Sequence, residues 1–169
     1  FLGCIAYLDG ERPSVVMTRG YYTRSVLAAF NWRGGKLTNI WTFDSDASED
    51  NRAYRGQGNH NLSVGDVDDD GRDEIIFGAC VIDDNGKGLY STHLGHGDAI
   101  HFSDLDPESA GLEVFDIQER FGEAGMHFRN ARTGALYWKK PSVKAGEDGE
   151  GPGRGNAFDI DPRYPGAEC

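Results

Sequence analysis

The sequence predicts an all-β protein built from a repeated unit of short strands, and three observations support this. Twenty-four glycines are spread along the 169 residues, which indicates many tight turns and therefore many short strands. Apolar and polar residues alternate over short windows, and no window keeps a helical period beyond about two turns. An acidic turn between two apolar strands recurs along the chain, as is typical of β-propellers and other repeat proteins.

The repeated unit is a short alternating strand, an acidic turn and a second apolar strand. Copies lie at 62–77, 100–115 and 158–168, with a worn copy at 8–16. A repeat with about four strands fits a propeller blade, which packs face to face with its neighbours. The copies divide the chain into predicted blade repeats near 1–57, 58–95, 96–152 and 153–169.

The segments between the acidic turns also have β patterns. Residues 25–43 and 126–138 each contain two apolar runs around a Gly-containing turn, which predicts two further hairpins. Residues 44–58 and 143–153 are polar and rich in glycine. They are predicted to be loops that connect an outer strand to the next inner strand.

The charge of the chain excludes some classes of partner. The formal net charge is −11, which argues against a nucleic-acid or anionic-membrane partner. No apolar run approaches the ~20 residues that span a membrane, and Cys4, Cys80 and Cys169 form no disulfide or zinc pattern. Many of the acids are clustered, and clustered carboxylates repel one another unless a cation lies among them.

The loop Asp66–Glu74 is the best candidate for a calcium site. Its alternate residues offer oxygen ligands, and Gly71 permits a sharp turn as in an EF-hand loop. A strand follows instead of a helix, so this is not an EF-hand. The alternative is a solvated acidic turn. The predicted ligands are Asp66, Asp68, Asp70, the backbone carbonyl of Arg72, and Glu74.

Two weaker copies of this loop follow. For them, calcium binding and an ordinary acidic turn explain the sequence equally well, because the third acid of the first loop is missing. A metal in any of these loops is expected to be structural, tying one strand to the next. The predicted ligands are Asp104, Asp106 and Glu113 in one copy and Asp159, Asp161 and Glu168 in the other.

Polar residues also precede three of the predicted inner strands. His60 lies before the first, His96 and Asp98 before the second, and Arg154 before the third. Equivalent points of consecutive blades meet at one mouth of a propeller, so these four side chains are predicted to share a site. Taken singly, each is more simply a solvated loop residue. A substrate role for the Tyr21–Tyr22 pair, or a place in a blade core, is left open.

The runs that carry these residues resemble a known family. They are similar to the bacterial rhamnogalacturonan lyases of polysaccharide lyase family 11, over nearly the whole chain and in order. The resemblance implies a secreted bacterial enzyme with a calcium-rich, eight-bladed propeller, of which this chain is an excerpt of two to three blades. The matching runs are 58–68, 86–89, 94–98, 112–115 and 159–164.

The resemblance also implies a reaction. The substrate is rhamnogalacturonan I, an acidic plant cell-wall polysaccharide, cleaved by β-elimination with Ca²⁺ as cofactor. A base removes the C5 proton of galacturonate and the C4–O bond to rhamnose breaks. In that scheme His60 or His96 is the base or contacts the uronate, and Arg154 binds its carboxylate. Asp98 holds a cation or orients His96.

Two other classes of function fit parts of the sequence. A non-enzymatic calcium-binding propeller for adhesion or sugar binding explains the acidic turns but not the His and Arg set. A purely structural calcium-binding fragment is the second alternative. Because two or three blades do not close a ring, the rest of the same propeller is expected to pack on this chain. We expect the chain alone to have little or no lyase activity.

Overall fold

The fold was analysed in a computed structural model that describes residues 1–119, 124–142 and 152–169. As predicted, the chain is all-β, and its strands form three four-stranded antiparallel sheets. The first sheet consists of β1 (Leu2–Ala6), β2 (Ser14–Arg19), β3 (Val26–Arg33) and β4 (Lys36–Asp44). The second consists of β5 (Ser63–Gly65), β6 (Glu74–Phe77), β7 (Cys80–Ile82) and β8 (Gly88–Ser91). The third consists of β9 (Gly97–Ser103), β10 (Glu113–Gln118), β11 (Met126–Asn130) and β12 (Leu136–Lys140).

Each sheet is a simple meander in which strands that follow one another in sequence pair with one another. The acidic turns occupy the same place in each meander, since they join its first strand to its second. The copy at 158–168 lies outside the three sheets and closes through a single bridge between Phe158 and Glu168. One detail differs from prediction: the predicted loop 44–58 contains a short 3₁₀ helix, Asp50–Tyr54.

The sheets are stacked through separate apolar clusters, and β6 contributes side chains to two of them. Ile75 and Phe77 pack with residues of the first sheet such as Leu27, whereas Ile76 packs with Ile100 and others of the third sheet. Alternate side chains of one strand therefore serve two different neighbours, which explains its unbroken apolar pattern. Each fully buried side chain of this size contributes about 1.5–3 kcal/mol to stability.

The remaining structural predictions concern the loop 143–153, the cysteines, membrane spans and the propeller. Residues 143–151 of the predicted loop 143–153 lie outside the described part of the chain. The three cysteines are free thiols. Within the described ranges, no helix has the length and hydropathy needed to cross a membrane. The blade boundaries, the eight-bladed ring and its stabilisation by calcium stay predictions.

Candidate active site and metal centre

The four polar residues predicted to share a site do meet, and Asp98 is at their centre. The Nε2 atom of His60 lies 3.2 Å from Asp98 Oδ1, and that of His96 lies 3.5 Å from the same oxygen. On the other side, Arg154 Nη1 is 3.1 Å from Asp98 Oδ2. Asp98 is nearly buried, while the Arg154 side chain is 72% exposed. The site therefore has a buried carboxylate at its base and a long, exposed cationic side chain at its rim.

Backbone pairing between two sheets brings these residues together. Asn59 and Gly97 form an isolated parallel bridge. The His60 N–H donates to the Gly97 carbonyl at 3.3 Å, and the Gly97 N–H donates to the Gly58 carbonyl at 3.4 Å. The segment before β5 thus lies along the start of β9. Residues far apart in sequence become neighbours because the second and third sheets meet at this edge.

The ring of His96 has a defined orientation. Its Nδ1 lies 2.7 Å from the Gly58 carbonyl oxygen, which can only accept a hydrogen bond, so Nδ1 carries the proton. In the neutral ring, Nε2 then carries the lone pair. That Nε2 is buried without a hydrogen-bond partner and lies near carboxylate oxygens of Asp98, at 3.5 Å, and Glu119, at 3.8 Å. A lone pair facing two carboxylates is unfavourable unless the ring is protonated or a cation lies between them.

The geometry around His96 fits a divalent cation. His60, His96 and Asp98 can each place one ligand atom so that all three lie within 4.8 Å of one another. An imidazole whose other nitrogen donates to a backbone carbonyl is the usual form of a metal-ligating histidine. The buried Nε2 atom of His96 has no hydrogen-bond partner, which is independent support for a cation at this position.

Tyr21 and Tyr22 lie against the two imidazoles, and a substrate role for the pair stays a prediction. The Tyr21 ring centroid is 4.6 Å from that of His60, and the Tyr22 centroid is 4.2 Å from that of His96. Tyr22 Oη also lies 3.1 Å from His60 Nε2. Tyr22 is 59% exposed, and partial burial together with Glu119 raises its pKa. Tyr22 therefore lies at the site, whereas Tyr21 lies at the site and also packs against the apolar cluster between the first and second sheets.

The acidic loop 66–74 gathers three of its predicted ligands. Asp66, Asp68 and Asp70 can place one oxygen each within 4.8 Å of one another, and Gly71 adopts the predicted positive φ, +85°. One oxygen of Asp68 is buried without a hydrogen-bond partner. Three carboxylates at this separation repel one another without a cation, so the loop fits calcium.

Glu74, the last predicted ligand of this loop, is fully buried at the start of β6. Its Oε2 accepts a hydrogen bond from the Val67 N–H at 2.8 Å, and its Oε1 is buried without a partner. Burial, with help from Asp68 and the other loop acids, raises the pKa of Glu74 to about 8. The close grouping of ligand atoms, however, joins Glu74 to Asp83 and Asp84. The prediction placed Glu74 with the three aspartates and missed this second neighbour.

Arg72 has a side-chain contact that the sequence did not suggest. The predicted ligand is its backbone carbonyl, whereas its side chain forms an ion pair with Asp84, with 2.9 Å between Nη1 and Oδ2. The guanidinium therefore reaches the turn between β7 and β8. It neutralises part of the acid that surrounds Glu74.

The second acidic loop repeats part of this arrangement. Glu113 is fully buried, and its Oε2 accepts hydrogen bonds from the N–H groups of Leu105 and Asp106, at 3.0 and 3.1 Å. Its Oε1 is buried without a partner. Burial raises the pKa of Glu113, and Asp104 adds to the shift. The described residues do not, however, bring three ligand atoms of this loop within 4.8 Å of one another.

The third acidic loop lacks these features. Glu168 Oε2 accepts from the N–H groups of Ile160 and Asp161, which lower its pKa because the carboxylate is not buried. Asp161 is paired with Arg163. Among the described residues, Asp159, Asp161 and Glu168 form no grouping of ligand atoms.

Sequence analysis missed Glu119 and a buried polar network behind the site. The network joins side chains of three strands and the segment before β5. A signal for it was present: Asp116 and Gln118 fall at alternate positions of β10, a strand otherwise made of buried apolar residues and Glu113. Polar side chains on a buried strand face require internal partners. The network consists of Asn59, Tyr90, Asp116, Gln118, His127 and Arg129.

Comparison with known proteins places this chain in a class of polysaccharide lyases. The whole chain, residues 1–169, matches the C-terminal domain of rhamnogalacturonan lyase family 11, and the chain belongs to that family. Among curated relatives, it is 58% identical over 169 residues to the rhamnogalacturonan endolyase YesW of Bacillus subtilis strain 168, and 55% identical over 168 residues to the exolyase YesX of the same strain.

Solved structures agree with this assignment. A rhamnogalacturonan lyase PL11 of Bacillus licheniformis superposes with a TM-score of 0.89 at 62% identity, covering 99% of this chain and 28% of that chain. The crystal structure of YesW gives a TM-score of 0.89 at 56% identity, covering 98% of this chain and 27% of that one. The matches cover 99% of this chain but only 26% of each curated relative, so the chain spans about a quarter of their length.

Proposed function

We propose that this chain is a segment of a calcium-dependent rhamnogalacturonan lyase and that the site around Asp98 binds the galacturonate of rhamnogalacturonan I. Cleavage by β-elimination gives unsaturated galacturonyl products. The observation that carries the proposal is the orphaned Nε2 of His96, buried against Asp98 and Glu119. The family relationship and the names of the relatives support the substrate and the reaction.

His96, Asp98 and His60 would hold the cation of this centre. A divalent cation there supplies positive charge that makes the C5 proton of a neighbouring uronate more acidic. His96 fits the role of ligand better than that of base, because its unprotonated nitrogen is buried and has no access to a polymer. His60 is a third ligand in this arrangement. Its exposed edge and its contact with Tyr22 favour proton transfer as a second candidate role.

Arg154 is proposed to bind the uronate carboxylate at the rim of the centre. Its guanidinium is exposed and is anchored by Asp98 through one nitrogen, Nη1, at 3.1 Å. A guanidinium presents several donors in a fork that matches a carboxylate, so the remaining donors are available for an acidic sugar. Arg154 and the proposed cation would together supply the local positive charge that a chain of net charge −11 needs to bind an acidic polymer.

The acidic loops are proposed to have a structural role. The orphaned oxygens of Asp68, Glu74 and Glu113 support calcium in the first and second loops. In this proposal, calcium in the first loop fixes the hairpin β5–β6, which follows directly from the segment that carries His60. Because the substrate is a large plant polymer, we place the enzyme outside the cell, within a propeller whose other blades pack on this chain.

A chimera tests the lyase proposal. This chain replaces the matching segment of the endolyase YesW, and the chimera is incubated with rhamnogalacturonan I and calcium. We expect a rise in ultraviolet absorbance from the new C4–C5 double bond. His96→Ala and Asp98→Asn should each reduce the rate by roughly 100-fold or more, as loss of metal-site residues does. The matched control is Asp9→Asn, an exposed acid paired with Arg12, which should leave the rate unchanged.

Two outcomes would contradict the proposal. A folded chimera without lyase activity would show that the chain does not carry the function of its relatives. Full activity of both His96→Ala and Asp98→Asn would remove this site from the reaction. Calcium dependence has its own test, since a chimera that stays active after its calcium has been stripped by EDTA would rule that part out.

A further inference from the structure

The side chain of Asn59 connects the candidate metal centre to the interior of the third sheet. Asn59 is fully buried immediately before His60. Its Nδ2 donates to Asp116 Oδ1 on β10 at 2.8 Å, and its Oδ1 accepts from the His60 N–H at 2.7 Å. One amide therefore makes one hydrogen bond to a buried carboxylate and one to the backbone of a proposed ligand.

In the network behind Asn59, the polar side chains have hydrogen-bond partners. Gln118 Nε2 donates to Asp116 Oδ2 at 3.0 Å, which leaves Gln118 Oε1 to accept from His127 Nδ1 at 2.8 Å. The Nε2 of His127 then carries the lone pair and accepts from Arg129 Nη1. Arg129, itself fully buried, also donates to the Gly78 carbonyl at 2.6 Å and lies 3.6 Å from Asp116 Oδ2. Such a network fixes the position of every side chain in it.

The same region fixes the other two proposed ligands. Gly97, between His96 and Asp98, lies so close to the network that an added Cβ would be 2.6 Å from Asp116 Oδ1 and 2.8 Å from Asn59 Nδ2. Only glycine fits at that distance. The backbone on either side of Gly97 is therefore held against the Asn59–Asp116 pair, and His96 and Asp98 project from it.

We propose that Asn59 and Asp116 are positioning residues that set the spacing of His60, His96 and Asp98 and thereby tune the affinity of the metal centre. Neither residue touches the proposed cation or the substrate. They act through the backbone of the His60 segment and the start of β9, which the pair holds side by side. Outer-shell hydrogen bonds of this kind change metal affinity by about 10- to 100-fold. The inference rests on the proposed function in one respect, that this site holds a divalent cation.

The test is a titration of the 169-residue chain with Co²⁺, whose visible absorption spectrum reports imidazole ligands and coordination geometry. Subtracting the spectrum of His96→Ala isolates this centre from the all-oxygen loops. We expect Asn59→Ala to weaken the His96-dependent affinity by about 10- to 100-fold and to alter the spectrum. Gly97→Ala, which pushes the pair apart, should have the same effect where it folds.

Tyr90→Phe is the matched control. The Tyr90 hydroxyl bonds to Arg129 Nε and to the Ala131 carbonyl at the far end of the same network, at 3.2 and 2.8 Å, without touching the site. Its loss should lower the melting temperature as the loss of Asn59 does while leaving Co²⁺ affinity and spectrum unchanged. Unchanged Co²⁺ binding by Asn59→Ala would overturn the positioning role alone, as would equal weakening by Tyr90→Phe. A wild-type chain without any His96-dependent spectrum would overturn the metal centre and the positioning role together.

Discussion

Glu74 and Asp116 are both fully buried carboxylates, but they differ in the charged and hydrogen-bonding groups around them. Glu74 has acidic neighbours and one oxygen without a hydrogen-bond partner. Asp116 accepts hydrogen bonds on both oxygens and has Arg129 nearby as a counter-ion. An ionised Glu74 would need a cation from outside the chain, whereas Asp116 has Arg129 as a counter-ion.

This difference between Glu74 and Asp116 predicts that two regions of the protein contribute to its stability in different ways. Stability that depends on the acidic loop should respond to calcium and chelators. Stability that depends on the third sheet should not, because its charges are paired internally. Burial raises the pKa of Asp116 to about 7, but both of its oxygens accept hydrogen bonds, as those of an ionised carboxylate do. We therefore treat Asp116 as ionised at neutral pH.

The largest expected effect is that of Asp116→Asn. The substitution leaves the buried guanidinium of Arg129 without its counter-ion, and breaking a buried ion pair costs about 3–5 kcal/mol. We expect the free energy of unfolding, measured with urea in EDTA, to fall by about this amount. The matched control, Asp9→Asn, removes an exposed charge and should change it by less than about 0.5 kcal/mol. A cost below about 1 kcal/mol for Asp116→Asn would indicate that Asp116 is protonated and would break the contrast with Glu74.

The next effect is that of calcium on the wild-type chain. At a free calcium concentration of about 100 times Kd, binding to the folded state stabilises it by about 2.7 kcal/mol. We expect the melting temperature to rise with calcium and to fall in EDTA. Glu74→Gln should lose most of this response. In EDTA it should be about as stable as the wild type at pH 7, because burial raises the pKa of Glu74 to about 8 and the calcium-free carboxyl is already largely neutral. An unchanged calcium response in Glu74→Gln would assign the binding to other acids.

Much of the fold could be predicted because it depends on local patterns. The hairpins at 25–43 and 126–138 are marked by apolar runs and by glycine turns such as Gly134, at φ +72°. The meeting of His60, His96 and Asp98 followed from their equivalent places in successive repeats. In a repeat protein, equivalent sequence positions occupy equivalent places in the structure, which is why distant residues could be assigned to one site.

Burial could not be predicted in the same way. Glu74 and Glu168 occupy the same place in one motif, but Glu74 is on a strand packed between two sheets and Glu168 is on a hairpin at the end of the stack. The motif does not encode that difference, since burial depends on neighbouring units. Likewise, Asp116 and Arg129 can be recognised as polar residues in apolar strands, but their partners Asn59 and Gly78 come from another sheet.

A smaller effect concerns acid and the buried network. Burial, together with Arg129, lowers the pKa of His127 from 6.5 to about 2. The folded chain therefore binds fewer protons than the unfolded chain once the pH falls below 6.5. The stabilisation is fully present above that pH and is lost below it, at about 1.4 kcal/mol per pH unit. Between pH 6.5 and 5 the loss should be about 2 kcal/mol.

The measurement is urea unfolding in EDTA from pH 8 to 5, comparing the wild type with His127→Gln, whose amide does not titrate. The groups that contact the ring, Gln118 and Arg129, and Asp116, which lies opposite it on β10, are unchanged in both proteins. We expect the variant to be less stable at pH 8 but to lose less stability on acidification. Parallel pH curves for the two proteins would show that His127 does not account for the acid sensitivity.

The smallest expected effect is that of Glu168→Gln in the third acidic loop. Its side chain is only half-buried, and its carboxylate accepts hydrogen bonds from the N–H groups of Ile160 and Asp161. An amide oxygen can accept the same hydrogen bonds. We expect a change of less than about 0.5 kcal/mol in the free energy of unfolding, with or without calcium. The informative comparison is with Glu74→Gln, the same substitution at the same place in the motif. A calcium response that depended equally on both residues would mean that the loop sequence, and not burial, determines where the cation binds.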